Sequence, residues 1–265
     1  MPKVLVIGQG WLGSMLHTYL EGSEISTNRL EEMDKILISG YDVVINCAAR
    51  TNIDWCEKNM LTSVEINAVQ AARLARICKE EGKQYVFFSS ACIFESKDVA
   101  DVKDEDSIPN PACFYAETKV LAERLILQEN PESLIIRPRL PISEVPHPRN
   151  TIDKLLSYGK INNTLESVTV IEDLLPVLKK LIEERATGVY NIVNAGYISP
   201  AEIATAFGHT FETVSKEEQD KRLKEEGRAR RVTTYVTSKR IPLLTDIRER
   251  MPEIVKKYNE NLNNR

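Results

Sequence analysis

Three side chains have the types and spacing needed to move a proton onto a carbonyl oxygen. Tyr115 and Lys119 lie four residues apart in a stretch of helical pattern, so both side chains are expected on one helix face. A nearby ammonium lowers the pKa of a phenol, so tyrosine becomes a usable proton donor or acceptor. Ser90 follows an apolar run, and a hydroxyl at the carboxyl end of a parallel strand points into a ligand crevice. We therefore expect Ser90 to hydrogen-bond a substrate carbonyl that Tyr115 protonates, although an ordinary surface pair is the alternative for Tyr115 and Lys119.

The elements that must position these residues alternate between two patterns. Short apolar runs rich in β-branched residues are typical of buried parallel strands and lie at 3–7, 42–46, 85–89 and 134–137. Between them, stretches of helical period lie at 11–20, 61–81 and 114–128. Strands that alternate with helices predict an α/β fold with a doubly wound parallel sheet of the Rossmann type.

A glycine-rich turn joins the first strand to the first helix. Gly8, Gly10 and Gly13 form a GxGxxG motif, which allows a tight turn, close approach of the backbone to a pyrophosphate and close packing of helix on strand. The phosphates would then lie at the positive N-terminus of the helix. The position between strand and helix favours dinucleotide binding over a plain tight turn.

The region after the second strand indicates which dinucleotide is bound. An acid there hydrogen-bonds the ribose hydroxyls of NAD, but residues 25–29 contain none. Arg29 can instead pair with a 2′-phosphate, which favours NADPH and makes NADH less favoured; the alternative is an exposed arginine that opens the next helix. The candidate cofactor contacts are Gly8, Gly10, Trp11, Leu12, Gly13, Asn28, Arg29, Ala48, Ala49 and Thr51.

The regular alternation ends after the fifth strand. Four prolines between 138 and 148 predict a long functional loop, and 216–231 is a dense charge run expected to form a solvated helix. Further elements are predicted at 151–158, 167–171, 173–185 and 188–193, with a helix start at Ser199. We expect residues 1–141 to form the NADP-binding domain, completed by elements within 162–194. Residues 142–161 and 195–265 are expected to form a small C-terminal substrate-binding lobe.

Composition excludes several classes of protein. The 265 residues carry 35 basic and 39 acidic side chains, a net charge of −4, which argues against nucleic-acid binding. No segment has the ~20 uncharged apolar residues of a membrane span. Five cysteines without a CxxC pair indicate reduced thiols and neither a disulfide framework nor a metal site. The start of the chain leads directly into a strand pattern, so we expect a cytoplasmic protein. A homodimer is left open.

With these features the chain resembles the extended short-chain dehydrogenase/reductases. The matching residues are Ser90, Tyr115 and Lys119, and the matching segments are 8–13, 46–49 and 65–68. It is similar to dTDP-4-dehydrorhamnose reductases and closer to the nucleotide-rhamnose synthase epimerase/reductases, which act on UDP-4-keto-6-deoxyglucose. The segments that carry this closer likeness lie at 52–57, 92–95, 114–119, 138–143, 148–154, 169–176 and 188–203. The likeness covers residues 1–207, and the remainder matches poorly.

The resemblance implies a role for each matching residue. Ser90 polarises the keto group, Tyr115 donates the proton, and Lys119 binds the nicotinamide ribose and tunes Tyr115. Cys92, which we expect on the same side of an extended segment as Ser90, matches the acid/base cysteine of epimerising relatives, and Lys154 matches its counterpart. Arg149 and Asn150 match residues that contact the nucleotide-sugar.

Each of these roles has a structural alternative. Cys92 can be a small core residue, Lys154 an exposed helix lysine, and Arg149 and Asn150 a solvated loop pair. His147 is a competing acid/base. Trp55 either stacks on a base or sugar or belongs to the core. Three arginines form the last group of candidates, and they either close on a diphosphate or balance the negative charge of nearby acids. They are Arg228, Arg230 and Arg231.

The function expected from this resemblance is an NADPH-dependent epimerase/reductase that makes an L-rhamnose donor from a nucleoside-diphosphate 4-keto-6-deoxyglucose. A monofunctional dTDP-4-dehydrorhamnose reductase is the nearest alternative. Cys92 favours the bifunctional enzyme over it, because a reductase alone has no need of an acid there. A catalytically silent NADP-binding regulatory subunit is the alternative of another class.

Overall fold

The structure is a computed structural model that describes residues 2–264. The chain divides into two compact units. Unit 1 contains the residues up to Ile93, Pro109–Arg137 and Leu175–Tyr190. Unit 2 contains Phe94–Ile108, Pro138–Leu174 and the chain from Asn191 onward.

Unit 1 is built on a six-stranded sheet in the order β2-β1-β3-β4-β5-β9. Its strands are β1 (Val4–Ile7), β2 (Glu24–Ser26), β3 (Val43–Asn46), β4 (Gln84–Phe88), β5 (Leu134–Arg137) and β9 (Gly188–Asn191). The pairings of β1 with β2 and β3, of β3 with β4 and of β4 with β5 are parallel. The chain leaves β1 toward β2 on one side and returns to β3 on the other, which creates the point where ligands bind in such sheets. The predicted Rossmann fold class is confirmed.

Helices connect these strands. They are α1 (Trp11–Tyr19), α2 (Lys35–Ile38), α3 (Ile53–Lys58), α4 (Met60–Val64), α5 (Gln70–Glu80), α6 (Phe114–Glu129) and α8 (Ile171–Glu183). The sequence predicts one helix over 61–81, but a π-helical turn at Glu65–Val69 separates α4 from α5. Such turns are frequent at functional sites because the extra residue redirects a side chain.

The core of unit 1 lies between the sheet and its helices. Ile7, Val44, Tyr85, Phe87 and Ile135 from the strands are at most 1% exposed. They pack with Ala68, Ala71, Leu74, Ala75 and Ile126 of the connecting helices. Small residues on this face let the backbone of α5 approach the sheet closely.

Unit 2 has a separate core and short strands. Its parallel pairs join β6 (Pro141–Ile142) to β8 (Thr169–Val170) and β7 (Lys160–Asn162) to β10 (Glu212–Val214). The helices α7 (Thr151–Leu155), α9 (Pro200–Ala206), α10 (Lys216–Glu225) and α11 (Ile247–Asn263) complete it. Ile152, Ile161, Val170, Ile203 and Ile254 belong to the shared core.

Two helices of unit 2 differ from the sequence prediction. The predicted helix over 216–231 ends at Glu225, followed by Gly227 with a positive φ of 64°. The helix α11 has no counterpart in the sequence prediction. None of the helices between residues 2 and 264 combines the length and apolar character that a membrane-spanning helix needs.

Candidate active site

Gly8 and Gly13 shape the turn between β1 and α1. Gly8 has a φ of +103°, and a Cβ placed on it would lie 2.8 Å from the backbone nitrogen of Ala48. A Cβ on Gly13 would lie 2.0 Å from the carbonyl oxygen of Gly8. No side chain between residues 2 and 264 caps the start of α1 at Gly10. The helix therefore presents a close backbone cradle and an uncapped positive end, which suit a phosphate.

Buried asparagines hold the loop that follows β3. Asn46 accepts a hydrogen bond from the backbone N–H of Ala48 at 2.9 Å and donates one to the hydroxyl of Tyr85. Asn67, on the π-helical turn, accepts from the N–H of Arg50 at 2.7 Å and donates to its carbonyl oxygen. The predicted cofactor residues Ala48, Ala49 and Thr51 thus lie in a segment whose backbone is fixed at both ends.

The same asparagine reaches the helix that carries the candidate catalytic pair. Asn67 Nδ2 donates to the hydroxyl oxygen of Thr118 at 3.1 Å, and that hydroxyl donates to the carbonyl oxygen of Tyr115 at 2.7 Å. The first turn of α6 is therefore tied to the loop after β3. The sequence assigns no role to Asn46 or Asn67, although both lie in segments that carry the family resemblance.

Arg29 lies after β2, in the region where the sequence places the cofactor ribose. Its side chain is 78% exposed and lies 3.9 Å from the carboxylate of Glu31. The backbone N–H of Asn28 donates to the hydroxyl of Ser26 at 3.1 Å. Arg29 is therefore an accessible cation with a weak partner, able to turn toward a phosphate.

Tyr115 and Lys119 are both buried on α6. Lys119 is 2% exposed, and its ammonium donates to the carbonyl oxygen of Phe88, at the end of β4, at 2.8 Å. The nitrogen lies 4.5 Å from the ring centroid of Phe87 and 6.0 Å from that of Tyr115. Burial lowers the pKa of Lys119 to about 8. The predicted helix face therefore brings the phenol and the ammonium together.

The pKa of Tyr115 moves opposite to the sequence expectation. Burial raises it well above its usual value, and the negative forms of Cys92, Cys113 and Cys56 raise it further. The expected lowering by Lys119 is not seen, because loss of hydration outweighs the attraction of an ammonium shared with a carbonyl oxygen. Tyr115 consequently holds its proton at neutral pH, which is the form that donates to a developing alkoxide.

Ser90 and Cys92 lie at the end of β4, but the geometry between them differs from the prediction. The segment Ala91–Ile93 is a 3₁₀ turn, so the alternation of an extended strand does not apply. The hydroxyl oxygen of Ser90 accepts a hydrogen bond from the backbone N–H of Cys92 at 3.2 Å. Ser90 is half-buried and Cys92 is 7% exposed. The turn, and not strand periodicity, brings the two residues together.

The turn that carries Cys92 packs against α6, the helix of the candidate pair. A negative charge on its sulfur raises the pKa of Tyr115 and also that of Lys119, in which it is the largest charge effect. Ser90 and Cys92 therefore lie in a segment that adjoins the helix of Tyr115 and Lys119. Cys78, by contrast, is buried in the core, where burial raises its pKa to about 12.

A buried ion pair one helical turn from Lys119 was not predicted from the sequence. Glu123, one helical turn further along α6, accepts hydrogen bonds from both Nε and Nη2 of Arg137, at the end of β5. Its carboxylate also accepts from the hydroxyl of Ser89. The signal in the sequence is a glutamate four residues after Lys119, on the same helix face.

Lys154 lies on α7 in unit 2. It is on the exposed side of that short helix, and partial loss of hydration followed by the cation of Arg149 lowers its pKa. Arg149 is exposed, and its backbone N–H donates to Nδ1 of His147 at 3.0 Å. The proton of a neutral His147 is therefore on Nε2. The direction of this shift favours the neutral amine, which is the form that acts as a base.

Asn150 has a structural role in unit 2. It is completely buried, its Oδ1 caps α7 by accepting from the N–H of Ile152, and its Nδ2 donates to the carbonyl oxygens of Ser143 and Val145. These bonds engage the whole side-chain amide. The predicted contact between Asn150 and a substrate stays a prediction, and the hydrogen bonds favour an indirect effect through Arg149.

The remaining candidates have partners within their own units. Arg230 forms an ion pair with Glu95, and Arg228 forms one with Glu226. Nη1 of the Arg231 guanidinium donates to the carbonyl oxygen of Ala229. In unit 1, the guanidinium of Arg50 lies 5.5 Å from the ring of Trp55, which is half-buried. These contacts favour local pairing over free arginines.

Unit 1 fits a nicotinamide dinucleotide. The close backbone approach at Gly8 and Gly13 leaves space that any Cβ would fill, and the start of α1 has no side-chain cap in the described chain. The ammonium of Lys119 uses one N–H on Phe88 and retains two donors for ribose hydroxyls. These observations together match the phosphates and the nicotinamide ribose of such a cofactor.

A family model described as the RmlD substrate binding domain matches residues 4–242. The bifunctional dTDP-4-dehydrorhamnose 3,5-epimerase/dTDP-4-dehydrorhamnose reductase of Arabidopsis thaliana is 30% identical over 243 residues. That match covers 82% of this chain and 80% of the relative.

A trifunctional relative from the same plant is much longer than this chain. It is named UDP-glucose 4,6-dehydratase/UDP-4-keto-6-deoxy-D-glucose 3,5-epimerase/UDP-4-keto-L-rhamnose-reductase RHM1. It is 32% identical over 220 residues, which are 76% of this chain but 33% of that protein. The chain therefore spans about a third of the trifunctional protein.

Solved structures share the fold over nearly the whole chain. The L780 UDP-rhamnose synthase of Acanthamoeba polyphaga mimivirus superposes with a TM-score of 0.86 at 26% identity, covering 97% of this chain and 99% of that one. The dTDP-4-dehydrorhamnose reductase of Bacillus anthracis, solved in complex with NADP, gives a TM-score of 0.79 at 19% identity and covers 100% and 99% of the two chains.

The family match and the relatives together confirm the prediction of an enzyme of the oxidoreductase class. They also confirm the family resemblance drawn from the sequence motifs. The chain belongs to the RmlD substrate binding domain family.

Proposed function

We propose that this protein is an NADPH-dependent epimerase/reductase that converts a nucleoside-diphosphate 4-keto-6-deoxyglucose into the L-rhamnose donor. The observation that carries the proposal is that the turn with Cys92 packs against α6, the helix that carries Tyr115 and Lys119. Tyr115 and Lys119 supply what a ketone reduction needs, and a thiol beside them supplies an additional acid.

The reduction step requires a proton donor and a group that polarises the ketone. NADPH, when bound, supplies the hydride that is transferred to carbon 4. Ser90 donates a hydrogen bond to the keto oxygen, and Tyr115 gives its proton to that oxygen as the alkoxide forms. The raised pKa of Tyr115 supports this role because the phenol stays protonated until an alkoxide of higher basicity develops.

The epimerisation step uses the same keto group. That group acidifies the hydrogens on carbons 3 and 5, so a base can remove each proton while Ser90 and Tyr115 hydrogen-bond the enolate oxygen. We assign the acid/base roles to Cys92 and Lys154: one takes a proton and the other returns a proton to the opposite face of the same carbon. The lowered pKa of Lys154 supports its use as a base.

NADPH is the proposed cofactor because of the residues after β2. Asn28 and Arg29 follow the strand where an NAD-binding acid would be expected, and Arg29 is exposed. The proposed contacts along the pyrophosphate are Gly8, Gly10, Trp11, Leu12 and Gly13, with Ala48, Ala49 and Thr51 alongside. Arg149 is the proposed cation for the substrate diphosphate.

Two alternatives make different predictions. A monofunctional dTDP-4-dehydrorhamnose reductase would reduce only an already epimerised sugar. A silent NADP-binding regulatory subunit would bind NADPH without consuming it, but the proximity of Tyr115 and Lys119 disfavours this alternative, since a binding module needs no proton donor.

The experiment that separates them is NADPH consumption with three substrates. UDP-4-keto-6-deoxyglucose, dTDP-4-keto-6-deoxyglucose and dTDP-4-keto-L-rhamnose are each mixed with the protein and NADPH, and absorbance at the reduced nicotinamide band is followed. Consumption with a 4-keto-6-deoxyglucose supports the bifunctional enzyme. Consumption with the epimerised sugar alone supports the reductase, and binding without consumption supports the regulatory subunit.

A further inference from the structure

The carboxylate of Glu123 is held by three hydrogen bonds in the interior of unit 1. Arg137 donates two of them, from Nε at 2.8 Å and from Nη2, and the hydroxyl of Ser89 donates the third. Glu123, Ser89 and Arg137 are each at most 5% exposed. This network belongs neither to the cofactor cradle nor to the proton-transfer residues.

Glu123 and Lys119 fasten consecutive residues of one strand end to one helix. Lys119 donates to the carbonyl oxygen of Phe88, and Glu123 accepts from the side chain of Ser89. The two helix residues are four apart and therefore lie on one face of α6. The next residue of the strand end is Ser90, so the network fixes the backbone from which the candidate hydroxyl projects.

Stability alone is a poor reason for such a pair. Replacing a buried ion pair with apolar residues of similar volume is often neutral or stabilising, because the cost of removing two charges from water offsets their attraction. A buried glutamate at this position is better explained by its effect on a neighbouring functional group, and the functional cation on the same helix face is Lys119.

Several ionisable groups from different elements act on the Lys119 ammonium. Burial lowers its pKa, whereas the negative forms of surrounding groups raise it. Those groups come from the loop after β3, from α3, from the turn after β4 and from α6 itself, and they are Cys47, Cys56, Cys92 and Glu123. Burial raises the pKa of both Cys47 and Cys56. Glu123 is the one carboxylate in this set, and the cation that faces it from β5 is Arg137.

We propose that Glu123, held by Arg137 and Ser89, is a positioning residue that keeps Lys119 in its cationic form and directed toward the nicotinamide ribose. This inference rests on the proposed function because it concerns the same cofactor site. Glu123 touches neither cofactor nor substrate in it and acts through Lys119 and the strand end.

The test is the pH dependence of NADPH binding, measured by nucleotide fluorescence between pH 6 and pH 9.5. Wild-type affinity is expected to fall with a midpoint near pH 8, where Lys119 loses its proton. In Glu123→Gln the midpoint is expected about one pH unit lower, since a buried carboxylate on the same helix face contributes on that order. At pH 8 the ammonium fraction then drops from about one half to about one tenth, so binding weakens about fivefold, while at pH 6 it changes less than about twofold.

A second variant keeps the test valid if Glu123→Gln does not fold. Glu123→Gln alone leaves the Arg137 cation buried without its partner, so the double variant E123Q/R137Q replaces the pair with two neutral amides. It is expected to shift the midpoint in the same direction but by less, because removal of the Arg137 cation partly offsets the loss of the Glu123 charge. The matched control is E166Q/R139Q, which neutralises a comparable buried pair in unit 2 and is expected to keep the wild-type midpoint.

A midpoint that is unchanged in both Glu123 variants overturns the inference, as does an equal shift in the E166Q/R139Q control. A wild-type profile that matches that of Lys119→Met also overturns it, since the fall would then not report Lys119. If the wild-type protein binds no dinucleotide, this inference and the proposed function fall together. If it binds NADPH with a Glu123-independent profile, the inference alone fails.

Discussion

The carbonyl oxygen of Gly8 lies 2.0 Å from the place where a Cβ on Gly13 would be. Glycine at position 13 therefore lets α1 pack directly on the turn that follows β1. Because the obstructing atom belongs to the backbone, a side chain cannot be accommodated by a change of rotamer. The turn and the helix start must move apart, and the proposed phosphate site moves with them.

Gly13→Ala is expected to weaken NADPH binding and to destabilise unit 1. Overpacking of this kind costs about 1–3 kcal/mol, and a loss of 1.4 kcal/mol in binding is about tenfold in affinity. Fluorescence titration with NADPH and thermal unfolding measure the two effects. Gly40→Ala is the matched control, because nothing lies within 4 Å of a Cβ there. Equal affinity in the wild type and Gly13→Ala would contradict a phosphate site at this helix start.

Arg29→Ala is expected to raise the KM for NADPH about tenfold and to leave the KM for NADH nearly unchanged. A charge-assisted hydrogen bond contributes about 1.5–3 kcal/mol, and only NADPH carries the 2′-phosphate that would receive it. Glu31→Gln is the companion variant, since it removes the carboxylate that lies 3.9 Å from Arg29. It should bind NADPH at least as tightly as the wild type. A parallel change in both cofactors would show that Arg29 does not contact the phosphate.

Cys92→Ser is expected to abolish hydrogen exchange at carbons 3 and 5 while sparing reduction of a 4-keto sugar that is already epimerised. Loss of a general acid slows a step by about 10²–10⁴-fold. Exchange is measured by NMR in deuterium oxide, and reduction by NADPH consumption. Cys113→Ser is the control: it is also buried near Tyr115, and serine suits its position before α6. Exchange that persists in Cys92→Ser removes the assigned role.

Arg149→Ala is expected to shift the acid limb of the exchange rate to higher pH. The cation of Arg149 lowers the pKa of Lys154, so its removal raises that pKa. A base acts in its neutral form, which then becomes available only at higher pH. The pH–rate profile of exchange measures the shift, and Arg149→Lys, which keeps the charge, should retain the wild-type limb. An unmoved limb in Arg149→Ala would argue against Lys154 as the base.

The sequence predicts the sheet of unit 1 well because buried parallel strands are short, apolar and locally recognisable. It fails at 61–81, where the amphipathic pattern continues through the π-helical turn that carries Asn67. The partners of Asn67 include Thr118, 51 residues away, and no local pattern reveals that hydrogen bond. The ion pair of Glu123 with Arg137 was not predicted, for a related reason. A glutamate alone is typical of a helix surface and an arginine alone of a strand end, so neither residue by itself indicates a buried pair.

The helix α11 was missed although its sequence carries a signal. Asp246 caps it by accepting from the N–H of Arg248, and Ile247, Met251, Ile254 and Tyr258 form a buried stripe at helical spacing. Pro252 within a highly charged segment hid this pattern, since proline ordinarily ends a helix. The domain boundary near 141 stays a prediction, and a homodimer stays open.

The central claim is that one protein carries out both epimerisation and reduction. The measurement that tests it most directly is proton NMR and mass spectrometry of the product formed from UDP- or dTDP-4-keto-6-deoxyglucose with NADPH in deuterium oxide. We expect an L-rhamnose nucleotide with deuterium at carbons 3 and 5 and one NADPH consumed per product. A reduced product that retains hydrogen at both carbons, or no reduced product at all, would contradict it.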